Sequence, residues 1–265
     1  MNEPSNLTSR SKRKIVILLS VIALLIIGLS AFWYWAAGKL DNMALNFSNN
    51  LKAQGKVLES GNQEVRGYPF RLGLFCDSIA YADPVRGITL SGNALRSAAQ
   101  LYRPGLLVAE MDAPFDLTVP GLAPLTLDWA NLKSSSNVGT AGLKRVSVVA
   151  DGFSVSANDF GERDLLGELK QLQGHARPSV SGSPGDLEIA VLADDWKIDD
   201  NGVGGVESID VNLLADIEQG LAVLQSGRDL RRYIVENGGK ITLTDFTLTT
   251  DSGGLISISG PLEIG

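Results

Sequence analysis

Residues 15–37 read IVILLSVIALLIIGLSAFWYWAA, a run without a single charge. As an α-helix it is about 35 Å long, more than the roughly 30 Å hydrocarbon core of a bilayer. Backbone polar groups in lipid must be satisfied within the segment, so a run of this kind crosses as one helix. Arg10, Lys12, Arg13 and Lys14 precede it, against one acid, Glu3. That bias predicts an N-terminus in the cytoplasm. Phe32, Trp33, Tyr34 and Trp35 crowd the far end, where amphipathic rings prefer the membrane–water boundary. The rival reading is a cleaved signal peptide, whose apolar segment is about 7–15 residues and is followed by small residues. Bulky rings fill that place here, and a retained anchor fits better. The chain is expected to be a single-pass inner-membrane protein with residues from about Gly38 onward in the periplasm. No small-xxx-small pair of glycines marks the span as a helix dimer.

Beyond residues 1–14, read as a disordered cytoplasmic tail, stand 19 basic and 29 acidic residues, a net of about −10. This argues against nucleic acid and against docking on anionic headgroups, both of which need positive charge. About 225 residues follow the anchor, enough for a core without disulfides. The one cysteine, Cys76, cannot form an internal bridge.

Past the anchor, Leu40, Met43, Ala44, Phe47 and Leu51 repeat at offsets of three and four, which predicts a juxtamembrane helix over 38–55 ended by Gly55. From residue 56 to 265 the period becomes two. Phe70, Leu72, Leu74 and Cys76 fall on one face, as do Leu125, Leu127 and Trp129, and Val146, Val148 and, past a kink at Asp151-Gly152, Val155. Leu187, Ile189, Val191 and Ala193 alternate in the same way, then Ile209, Val211 and Leu213, then Ile241 to Leu248, then Ile256 and Ile258. One-sided alternation predicts strands with one apolar and one polar face. Turns are expected at Ser91-Gly92-Asn93, Arg103-Pro104-Gly105, Pro120-Gly121, Asn201-Gly202 and Ser252-Gly253-Gly254, and a flexible joint at residues 179–185. Residues 94–102 and 165–172 also fit helices. A firmer helix runs over 230–236, capped by Ser226 and closed by Gly238-Gly239. The expected fold is mainly β: a single N-terminal transmembrane helix and an extended antiparallel sheet with one apolar face, plus one or two short helices.

Several words resemble a bacterial envelope family known as DUF2125: Arg66-Gly67-Tyr68-Pro69-Phe70-Arg71-Leu72, Cys76-Asp77, the run from Asn93 to Pro104, Val108-Ala109-Glu110, Ala113-Pro114-Phe115, Leu127-Asp128-Trp129 and the run from Val146 to Gly152. The resemblance covers most of the chain after the anchor. It implies an inner-membrane-anchored, periplasmic, β-rich protein, favours a strand over residues 94–102, and implies further strands beyond Gly265. It carries over no catalytic residue.

The candidates for recognition or core are Tyr68, Pro69, Phe70, Arg71, Leu72 and Trp129. In the recognition reading Tyr68 and Phe70 make apolar contacts and Arg71 faces an acidic partner. In the plainer reading Pro69 opens a strand, a position where proline is tolerated. Phe70, Leu72, Leu74 and Trp129 are expected on one apolar surface. Cys76 reads as a buried, inert thiol. His175 is the only histidine, which excludes a histidine metal cluster and leaves a triad to chance. The acidic stretch 194–202 fails the calcium-loop pattern, because Lys197 stands at the first ligand position and Ser208 at the twelfth, and reads as a solvated hairpin tip. No phosphate loop, nucleophile elbow or Cys-x-x-Cys pair occurs, so no catalytic residue, metal or cofactor is expected. The expected partners are the membrane and lipid or other envelope proteins. The expected function is non-enzymatic: handling acyl chains of lipid, lipopolysaccharide or lipoprotein on the apolar face. An envelope scaffold or assembly factor is the alternative, and a hydrolase without a recognisable motif is third.

Overall fold

The computed structural model describes residues 9–140, 142–159, 162–197, 206–226, 228 and 230–263. One helix, α1 (Ser9–Ala53), contains both the apolar run and the juxtamembrane repeat without a break. It also takes in residues 9–14, which the sequence reading left in a disordered tail. α1 is long and apolar enough to cross a membrane. It ends where expected: Gly55 adopts φ 76° and Lys56 N–H donates to the Leu51 carbonyl, a helix-terminating turn that a side chain with Cβ would strain.

Among the described residues sixteen antiparallel strands follow in one curled sheet. They are β1 (Val57–Gly61), β2 (Glu64–Arg66), β3 (Arg71–Cys76), β4 (Ser78–Asp83), β5 (Ile88–Gly92), β6 (Leu95–Gln100), β7 (Arg103–Met111), β8 (Phe115–Thr118), β9 (Leu125–Asp128), β10 (Asn131–Gly139), β11 (Gly142–Asp159), β12 (Glu162–Pro178), β13 (Leu187–Trp196), β14 (Ile209–Ile217), β15 (Lys240–Thr250) and β16 (Leu255–Glu263). Two helices, α2 (Gly220–Gln225) and α3 (Leu230–Asn237), lie between β14 and β15.

The pairing is simpler than the strand count implies. β1 and β2 pair with β4 and β3 in one register, β3 and β4 with β6 and β5, and β9 and β10 both lie along β11. The first ten strands are therefore five long strands, each broken once. The molecule is a meander in chain order, from β1–β2 at one edge to β16 at the other. The breaks line up as a crease at Asn62-Gln63, Asp77, Asn93-Ala94, residues 112–114 and Trp129-Ala130, and Gly152 (φ 60°) marks it in β11. Backbone bonds from Asp77 to Gly61, Asp112 to Ala94 and Ala130 to Asp151 stitch it. So do the side-chain amides of Asn62 on Asp77 and of Asn93 on the Ala113 carbonyl.

At the crease the apolar alternation changes phase. In β3 the apolar positions are Leu72, Leu74 and Cys76, and in β4 they are Ile79 and Tyr81; in β11 they are Val148 and Ala150 before Gly152, and Phe153 and Val155 after it. An inserted or left-handed residue bends a strand and resets which side its residues face.

Several local expectations change for this reason. Ser91-Gly92-Asn93 is a crease within a long strand and not a turn. Pro104 and Gly105 belong to β7, and the turn before it is Leu101-Tyr102. Residues 165–172 are strand, because β12 pairs with β11 along this stretch and from Gln171 onward with β13 as well, which outweighs the local helical spacing. Residues 179–185 form a hairpin loop tied by Ser179 N–H to the Asp186 carbonyl and Ser183 N–H to the Asp186 carboxylate, and not a joint. Ser226 caps the end of α2, a helix the sequence reading did not foresee, and not the start of α3. α3 closes as expected, with Gly238 at φ 63° and Gly239 N–H donating to the Ile234 carbonyl. The Asn201-Gly202 turn and the tip of the acidic stretch lie outside the described residues.

Candidate functional site

Cross-strand partners project to the same side of a sheet, so register alone sorts the residues into faces. One row runs Cys76, Leu95, Met111, Leu132, Ala150, Leu172, Ala193, Val211, Leu248, Ile256, each paired with the next. Ten strands contribute ten apolar residues without a polar interruption. At about 4.8 Å per strand the row is about 43 Å long. The neighbouring row places Val148, Gly174, Val191, Leu213, Phe246 and Ile258 side by side. The opposite face carries Arg145, His175, Arg177, Glu188, Asn212 and Asp245.

One end of the apolar face is closed. Leu187, Ile217 and Leu221 form a buried cluster, joined by Leu143, Ala176, Ile189, Ile241 and, from α3, Leu230 and Ile234. The short helices supply that cover: Leu221 and Val223 of α2 are buried and Leu230 and Ile234 of α3 pack on the cluster, while Leu224 and Val235 face outward. Elsewhere Cys76, Ala150 and Ala193 are buried, but the neighbouring row stays open. Val148 and Val191 remain 39% and 38% exposed, and a Cβ placed on Gly174 between them would meet nothing within 4 Å. β16 pairs with β15 alone among the described residues, leaving Ile256, Ile258 and Leu262 half-exposed.

Beyond the crease the apolar residues close on each other instead. Trp129 is buried between Phe115 (ring centroids 5.4 Å apart) and Phe153 (6.4 Å), both stacked, and its indole N–H donates to the Met111 carbonyl at 2.9 Å. Gly92 pairs with Phe115 across the strands, and the ring lies where a Cβ would stand.

The six candidate residues therefore separate into three places. Arg71 and Leu72 open β3, Leu72 on the apolar face and paired with Ala99, Arg71 exposed and paired with Gln100. Trp129 belongs to the aromatic stack, which the change of phase divides from the Leu72 and Leu74 rows. Tyr68, Pro69 and Phe70 form a turn before β3 and do not begin the strand. Phe70 is 61% exposed, so the expected single surface of Phe70, Leu72, Leu74 and Trp129 does not form.

The Tyr68 turn has a different partner. The Tyr68 ring meets Trp33 of α1 edge-on at 5.6 Å, and its hydroxyl shares a 2.8 Å hydrogen bond with Ser30. The Trp33 indole N–H donates to the Arg71 carbonyl at 2.7 Å, which buries Trp33. Further along, the Gln63 amide donates to Asp41 and the Ser48 hydroxyl to the Leu58 carbonyl. α1 thus runs beside β1 and β2 and fixes β3, the first strand of the apolar face, next to the helix. The sequence reading singled out these residues but gave them an unknown partner. The signal was present in the aromatic end of the apolar run.

Burial pushes the Cys76 thiol above its ordinary value, which keeps it protonated and unreactive. His175 lies on the polar face beside Arg145, and burial together with that guanidinium pushes it down. Among the described residues no group of His, Cys, Asp and Glu is placed to hold a metal.

A family model described as "Uncharacterized protein conserved in bacteria (DUF2125)" matches residues 33–265. No curated protein and no solved structure matches the chain.

Proposed function

We propose, on the premise that this chain belongs to the bacterial family DUF2125, that it is a membrane-anchored, non-enzymatic protein that holds acyl chains on its apolar sheet face. The observation that carries this reading is the uninterrupted apolar row from Cys76 to Ile256, which starts beside α1 and stays partly uncovered. A surface of that size in water costs free energy at about 25 cal/mol per Å² of apolar area, and an acyl chain laid along it recovers part of that cost. The bilayer around α1 is the nearest source of such chains. The basic residues before Ile15 support an inner-membrane anchor with the sheet on the periplasmic side. Lipid, lipopolysaccharide and lipoprotein share the acyl chemistry this face would recognise.

The test is lipid mass spectrometry on the full chain purified from bacterial membranes, beside the double variant Val148→Asp/Val191→Asp. The chain should retain stoichiometric acylated lipid, and the variant should fold and lose it. Equal lipid content in both, at equal fold content by circular dichroism, would overturn the reading.

A further inference from the structure

We infer that the two turns flanking the start of the apolar face, Tyr68-Pro69-Phe70 and Leu101-Tyr102, are a membrane-inserted tip that seats the sheet in the same leaflet α1 leaves. The inference rests on α1 spanning a bilayer and is independent of whether the apolar face binds acyl chains.

Depth along α1 sets the level of both turns. Twenty helical residues cross a core of about 30 Å, which counts from Ile15 to Tyr34. Ser30 and Trp33, the residues that hold Tyr68 and the Arg71 carbonyl, lie inside that count. The Tyr68 turn is therefore fixed at the depth of the acyl–headgroup boundary and not above it. Leu101 N–H donates to the Phe70 carbonyl at 3.0 Å, so the second turn stands at the same level.

The residues presented there suit that depth. Phe70 is 61% exposed and Tyr102 is 70% exposed. Tyrosine and tryptophan rings settle at membrane interfaces because one end is apolar and the other hydrogen-bonds. Arg66, Arg71 and Arg103, all exposed, flank the two turns, and guanidinium groups pair with lipid phosphates. The chain beyond the tail is acidic overall, yet the tip carries Arg66, Arg71 and Arg103 against one acid, Glu64, which pairs with Arg66, while the other side of the crease carries Glu59, Asp83 and Asp116 against Lys56 and Arg86, the latter paired with Asp83. The net charge that argues against headgroup contact is thus an average over two unlike ends.

Single nitrobenzoxadiazole labels report the depth. They would be placed on Phe70→Cys, Tyr102→Cys, Ile22→Cys in the span, and Val85→Cys in the β4–β5 loop at the other end of the strands, each in a Cys76→Ala background. The full chain would be reconstituted in vesicles of phosphatidylethanolamine and phosphatidylglycerol. Labels at 70 and 102 should be quenched by lipid-borne nitroxide and shielded from iodide, as at 22, whereas the label at 85 should show the reverse. Labels at 70 and 102 as open to iodide as the one at 85 would overturn the inference, and an iodide-accessible label at 22 would remove its premise and the inference with it. Should the Cys76 background misfold, amide exchange of the unsubstituted chain decides: vesicles should slow residues 101–103 and leave 85–87 unchanged, and equal rates would overturn the inference. Retained lipid, read by mass spectrometry, is a separate outcome, so a failed tip and a failed acyl site are told apart.

Discussion

β11 serves two regions that treat apolar surface in opposite ways. After Gly152 its Phe153 stacks on Trp129, which stacks on Phe115, and the three rings bury one another. Before Gly152 its Val148 stands beside Gly174 and Val191 with open space above them. The strand, the sheet and the residue chemistry are the same, so what differs is the neighbour. The crease brings rings from three long strands into contact, whereas away from the α2–α3 cover the Gly174 position between Val148 and Val191 has no described atom packed over it. Buried side chains gather at the crease and under the α2–α3 cover, whereas Val148 and Val191 stay more than a third exposed.

The sharpest way to break this comparison is Trp129→Ala. It removes two stacking contacts, a hydrogen bond to the Met111 carbonyl and a buried indole. Large-to-small changes of this kind cost about 3–5 kcal/mol. Val191→Ala on the open face should cost about 1 kcal/mol or less, because much of that side chain already meets solvent. Urea titration of the full chain in detergent measures both, and equal losses would mean that the crease is no more a core than the open face is.

The alternation of β3, β9, β11 and β13 to β16 was legible in the sequence, as were the apolar helix, Gly55 as its stop and the Gly238-Gly239 end of α3. The long row was not, because a row exists only once register is fixed, and register depends on partners tens of residues away. Asp151-Gly152 and Ser91-Gly92-Asn93 carried turn chemistry, but a crease uses the same residues as a turn, and only pairing on both sides tells them apart. Residues 165–172 show the reverse conflict: helical spacing in LLGELKQL yields to the ladder with β11, joined at Gln171 by the one with β13. For Tyr68 and Phe70 the sequence marked the residues without the partner, since nothing local says that a turn at 68 meets a helix at 33.

A second variant sharpens the open side. Gly174→Phe places a ring in the middle of the neighbouring row, where no atom stands within 4 Å of the new Cβ and where aromatic residues suit a strand. Stability should change by about 1 kcal/mol or less, in contrast to Trp129→Ala. Retained lipid should fall, because the ring occupies floor that an acyl chain would cover. A stable variant with undiminished lipid would show that chains lie elsewhere, and an unfolded one would show that Gly174 is covered.

The smallest expected effect is on pH dependence, and it separates the two regions by charge. Asp151 sits at the crease, where the Gln171 amide (2.6 Å) and then the Asn131 amide (3.2 Å) hold its carboxyl below the ordinary 3.8, against a weaker opposing effect of burial. Asp112, also at the crease, is held down by its hydrogen bond from Arg96. A carboxyl with a depressed folded pKa contributes stability that is fully present above its unfolded pKa and is lost as pH falls through the folded one. Acid below about pH 4 should therefore loosen the crease first, while the apolar rows, which carry no titrating group apart from the buried Cys76 thiol, stay indifferent. Asp151→Asn keeps an acceptor for Gln171 and removes the charge, so it should flatten the fall in stability between about pH 4 and pH 2 and leave lipid retention at neutral pH unchanged. Urea midpoints taken across that range for both chains decide it. Superimposable curves would mean that the Asp151 hydrogen bonds add nothing beyond what a neutral amide supplies, and that acid reaches this fold by another route.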